Sequence, residues 1–143
     1  SGGGEASAQT GNNSDTDTVT VAANLPPNVT LTKTVRNVTR GGSAGTSSVA
    51  QPGEILEYCI SYLNSGGAAT NFVLTDNAPA TTTPRTGAYG AGLGVQFTRS
   101  GVTLLTSAAD ADAGSLVGQL LTLRVANVPA GDSGAACFQV QVR

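Results

Sequence analysis

Histidine, methionine and tryptophan are absent from this sequence, and it holds only two cysteines, three tyrosines and three phenylalanines. Without histidine no Ser-His pair can form, and no Gly-x-Ser-x-Gly elbow presents a serine nucleophile. With Cys59 and Cys137 as the only thiols, a Cys/His metal site cannot be assembled within one chain. Nothing marks a pair of carboxylates for glycoside hydrolysis. The expectation is a protein with no catalytic residue, no metal and no cofactor: not an enzyme.

Charge is scarce too. Charged residues make up 11% of the chain, the seven basic ones are scattered, and the net charge is -2. That distribution gives no electrostatic footprint for nucleic acid or anionic lipid. No apolar run approaches the roughly 20 residues of a membrane span, so no membrane insertion is expected. No stretch repeats its apolar residues near a period of 3.6, so almost no helix is expected. The lack of an initiator methionine fits secretion after removal of a leader.

What is present is Thr, Ser, Val, Gly and Ala in alternating runs, a β-rich composition at one-domain length. Residues 1–27 differ from the rest. They comprise a glycine-rich start, a turn-like "GNN", the run "TDTVTVAAN" and then Leu25-Pro26-Pro27. These read as an arm, residues 1–27, and a body, residues 28–143. The prolines form a short stiff spacer, since neither can donate to a ladder.

In the body, "NVTLTKTVRNV" sets Val29, Leu31, Lys33 and Val35 on one face, a parity that turns Lys33 inward unless it snorkels to the surface. "EILEYCISYLN", with Leu56, Tyr58, Ile60 and Tyr62 together, reads as the central strand. "TNFVLTD", "VQFT", "VTLLT", "LLTLRVANV" and "AACFQVQVR" follow as further strands, and residues 77–94 read as a long irregular loop. Cys59 and Cys137 both fall opposite the apolar face of their strands. The expected disulfide therefore joins neighbouring strands of one sheet on its outer surface, as suits a domain outside the cell. Asp110 and Asp112 lack the rest of a calcium loop and read as a solvated turn. The sequons at Asn12, Asn28 and Asn37 permit glycosylation chemically.

The pattern "LTKTV", then "QPGEILEYCISYLNSGGAATNFVLTDNAP", resembles the conserved-repeat domain of bacterial surface proteins, the domain of unknown function numbered eleven. The matching pieces are the Lys33 strand, Pro52-Gly53, Tyr58, Asn64 and Gly66 at a turn, Thr75-Asp76 and Pro79, with a late Pro-x-Gly turn in "VPAGDSGAACFQVQV". The resemblance implies an all-β, immunoglobulin-like β-sandwich without catalytic role. In that family one or two further strands follow, ending in an Asn-Ser-Asp-x-Val-x-Val run. Residues 5–21 look like that ending displaced to the front. The body then lacks its closing strand or hairpin, and the arm is that element, the donor strand: Ala6 and Ala8, then Thr18, Val19, Thr20, Val21, Ala22 and Ala23, with Asp15 and Asp17 at the rim. Burying Val19 and Val21 would contribute about 3–6 kcal/mol before ordering costs.

The expected function is a structural subunit of an extracellular, pilus-like filament, a homopolymer of identical subunits joined by donor-strand complementation. The alternatives are an adhesin module binding a glycan or other surface ligand through the 77–94 loop around Arg85 and Tyr89, and a surface-layer component. Some surface sandwiches carry a Lys–Asn or Lys–Asp amide, which makes Lys33 with Asp76 a candidate crosslink.

Overall fold

The computed structural model describes residues 25–143. The donor-strand residues Ala6, Ala8 and Thr18 to Ala23 lie outside them. Nine strands follow in order: β1 (Val29–Asn37), β2 (Ile55–Asn64), β3 (Ala69–Asn77), β4 (Thr82–Pro84), β5 (Val95–Thr98), β6 (Val102–Leu105), β7 (Gly114–Val117), β8 (Leu120–Val128) and β9 (Ser133–Val142). Among the described residues there is no helix. The strands form two antiparallel sheets packed as a sandwich. The larger has the order β1-β2-β9-β5-β6, with β4 also pairing with β9, and the smaller is β3-β8-β7.

β2 is central, paired with β1 on one side and β9 on the other. Its even-numbered face supplies Leu56, Ile60 and Tyr62 to the core. Leu74 of β3, Leu121 and Leu123 of β8, Val95 of β5 and Phe138 and Val140 of β9 complete it. Gly134 pairs directly with Tyr62. A Cβ there would lie 2.7 Å from the tyrosine ring, so the glycine makes room for the largest side chain of the core.

Cys59 and Cys137 stand opposite one another in the β2–β9 register and are joined as a disulfide on the face away from the core. That face is less open than alternation alone suggests. The 85–93 segment folds over it, and Glu57, Cys137 and Gln139 are all buried. The long irregular loop expected over 77–94 is accordingly only partly irregular, because Thr82–Pro84 pair with Val140–Val142. Likewise, the aspartate-rich turn passes into β7 already at Gly114. Asn37 is buried, its amide donating to Val49 O and Glu54 Oε1, which closes that sequon to a glycan.

Candidate functional site at the open edge of the sandwich

The two sheets are unequal, and the mismatch falls on one side. β7 packs beneath β5 and β8 beneath β9. Tyr62 of β2 meets Phe72 of β3 with ring centroids 5.7 Å apart. The next position in the smaller sheet, opposite β1, is empty among the described residues, because β3 is that sheet's edge.

The consequence is visible on β1. Its register with β2 places Val29, Leu31, Lys33 and Val35 on the core-facing side. Val35 is 7% exposed, whereas Leu31, equally inward by register, is 53% exposed. Lys33 does face the layer between the sheets, but it is half-open to solvent rather than enclosed. Its Nζ lies 4.8 Å from the centroid of the Tyr58 ring, 3.0 Å from Asp76 Oδ1 and 2.9 Å from Oδ2. Only the Oδ1 contact has hydrogen-bond geometry, leaving the buried Oδ2 without a donor. Lys33 and Asp76 thus form an ion pair that bridges the edges of the two sheets, a 2.9–3.0 Å contact between separate groups.

On its side away from β8, β3 pairs with no strand among the described residues. The stretch from Val73 to Asn77 is regular, while the register against β8 shifts around Phe72. Asn71 adopts φ 54° and Ala126 φ 68° there, a conformation asparagine tolerates better than most residues. Beside this bulge Asn71, Phe72, Val73, Arg124 and Ala126 line a recess of about 150 Å³.

The linker is docked at one end of this edge. Ser65 N–H donates to Asn28 O at 3.0 Å and Gly67 N–H to Pro26 O at 2.9 Å, which continues the β1–β2 ladder in register around the corner toward β3. Leu25 packs so closely that a Cβ on Gly67 would lie 1.9 Å from its carbonyl oxygen. Asn64, completely buried, holds the corner. Its Oδ1 accepts from Asn28 N–H and Gly66 N–H, and its Nδ2 donates to Gly67 O, Val128 O and Pro129 O. The motif that carries the family resemblance includes Asn64 and Gly66, but their link to the linker needed the fold to be seen.

The residues of the other proposed site are engaged within the body. Tyr89 Oη donates to Glu57 Oε2 at 2.7 Å, and Arg85 Nη1 to Gln139 Oε1 at 2.8 Å. Burial, reinforced by the Glu57 carboxylate, pushes the Tyr89 hydroxyl far above its ordinary pKa. Asp112 Oδ2 accepts from Thr106 N–H and Oγ1, and Asp110 Oδ2 from Thr106 Oγ1, so this acidic turn is closed by its own loop. Among the described residues no group of three or more His, Cys, Asp or Glu is placed to hold a metal ion. No helix is long and apolar enough to cross a membrane among the residues described.

No protein-family model matches the chain, and neither does any curated protein or solved structure.

Proposed function

We propose that the chain is a structural subunit of an extracellular filament, in which the arm of one molecule completes the sandwich of another. One observation carries this reading: Leu31 faces the layer between the sheets yet stays half-exposed, because nothing among the described residues occupies the position beyond β3. An inserted strand would pair with the free edge of β3 and cover Leu31 and Lys33 together. The alternating Thr18–Ala23 run has the pattern such a strand needs, apolar on one face and polar on the other. Charge supports the pairing. The arm carries Glu5, Asp15 and Asp17 and no basic residue, giving -3, while the body's seven basic and six acidic residues leave +1.

On this reading the sandwich is immunoglobulin-like, the protein is secreted to the cell surface, and it works without catalysis or cofactor. The resemblance to the conserved-repeat domain, which rests on the motif alone, points to the same class. A ligand-binding module using Arg85 and Tyr89 has less support, since both side chains are turned onto the larger sheet.

Electron microscopy of the purified chain, with and without residues 1–24, tests the proposal. Filaments from the full chain and dispersed bodies from the truncated one are expected. A full chain that stays monomeric at high concentration would overturn it.

A further inference from the structure

Six of the seven basic side chains donate to a side chain of the body, four of them in ion pairs with Asp or Glu. The exception is Arg124. Among the described residues no side-chain or backbone acceptor meets its guanidinium, although the group stands on β8, with a strand on either side. Leu121 and Leu123 take the core side of β8, so Arg124, opposite Val73, projects from the outer surface of the smaller sheet. The neighbouring outward positions, Thr75, Thr122 and Leu120, carry no charge, and among the described residues no acid offsets the cation there.

Beside Arg124 the ladder opens. The register of β3 against β8 shifts twice, between Ala69 and Phe72 and again between Phe72 and Val73. Asn71 stands at φ 54° and Ala126 at φ 68°. Glycine would enter that left-handed region freely and alanine does not, so the strain is held by the surroundings for a local reason. Its result is a recess of about 150 Å³ lined by Asn71, Phe72, Val73, Arg124 and Ala126. Ala126, the partner of Phe72 in the ladder, is too small to fill it.

We propose that this recess binds a small carboxylic acid with an apolar body about the size of one ring, its carboxylate held by Arg124. An apolar space of about 150 Å³ accommodates a benzene molecule. Phe72 and Val73 supply the apolar wall, and Phe72 is backed by Tyr62 with ring centroids 5.7 Å apart. The planar guanidinium suits a carboxylate, two parallel N–H groups donating to two oxygens, and no acid of the body pre-empts the pairing. A cationic ligand would be repelled by the same group, and an anion without a body would leave the recess empty. The recess lies over the β3–β8 ladder, on the other side of β3 from the position an added strand would take, so the site is independent of assembly.

Saturation-transfer NMR on the full chain tests this with three probes, because the method reads weak ligands on large particles as well as small ones. Benzoate is expected to bind saturably. Benzamide keeps the ring and loses the charge, acetate keeps the charge and loses the ring, and each should bind at least about tenfold more weakly. Arg124→Gln, at an exposed position, should weaken benzoate by a similar factor. Benzoate that fails to saturate overturns the inference, as does equal binding of benzamide or an unchanged affinity in Arg124→Gln. Equal binding of acetate overturns it too, leaving an exposed arginine and no site in the recess.

Discussion

Lys33 on β1 and Asp76 on β3 join the outermost strands of opposite sheets through one contact of 3.0 Å, under no covering strand among the described residues. With the lysine side chain 42% exposed, the pair is screened and contributes about 0.2–1 kcal/mol to the isolated body. Lys33→Met in the chain lacking residues 1–24 should shift the urea unfolding free energy by no more than that. The intact mass of the native chain should show no loss of water, since Lys33 and Asp76 meet as an ion pair between separate groups. A chain one water lighter would reveal the amide.

Leu31→Ser separates the body from its assembly. The side chain is half-exposed, so the truncated body should change by about 0.5 kcal/mol or less, as for other surface positions. In the full chain the same substitution removes apolar surface that an inserted strand would cover. The concentration needed for filaments should rise several-fold, read by sedimentation.

Acid should weaken the body in a defined window. The Glu54 carboxylate accepts from Gln51 N–H, Arg40 Nε and Asn37 Nδ2, which hold its pKa down at about 2 from the ordinary 4.5. For Glu57, burial pushes upward, but hydrogen bonds from Tyr89, Gln139 and Arg36 outweigh it, and the net shift is downward. Both groups are held more acidic when folded than when unfolded, so their stabilisation is complete above the ordinary 4.5 and is lost as pH falls toward 2. The urea midpoint should be level above about pH 5 and fall below it. Glu54→Gln should flatten that fall.

Tyr89→Phe removes the shortest of the Glu57 bonds, 2.7 Å. It should cost about 1–2 kcal/mol at neutral pH in chemical unfolding, because a buried carboxylate loses a donor.

The Cys59–Cys137 bond closes a span of 78 residues. Replacing both cysteines by serine should cost about 2–4 kcal/mol, measured by urea unfolding. The strand order should survive, since Leu56, Ile60 and Phe138 pack the same core without the bond.

Much of this architecture was legible in the sequence, because long alternating runs such as Ile55–Asn64 and Ser133–Val142 carry a period-2 signal over ten residues. β4 and β7 were not. β4 has only three residues and forms because the distant β9 is there to pair with, while β7 opens on glycine and serine, which read as turn residues, and pairs with β8 across Gly118 and Gln119. At Gly114 an added Cβ would lie 2.9 Å from Leu105 Cδ1, a close approach that reads locally as one more loop glycine. Burial of Glu57 and Gln139 was equally hidden, since it depends on where residues 85–93 fold back. At the candidate site, alternation identified the inward face of β1, but only the unequal width of the sheets reveals that no strand among the described residues covers Leu31.

Asn64 ties the linker, the start of the route to β3 and the β8–β9 corner into one knot of hydrogen bonds. Traction on the polypeptide ahead of Leu25 therefore meets the Pro26–Gly67 bond and then this amide before it reaches β1. From there it spreads into both layers, loading several backbone bonds at once instead of peeling them one by one.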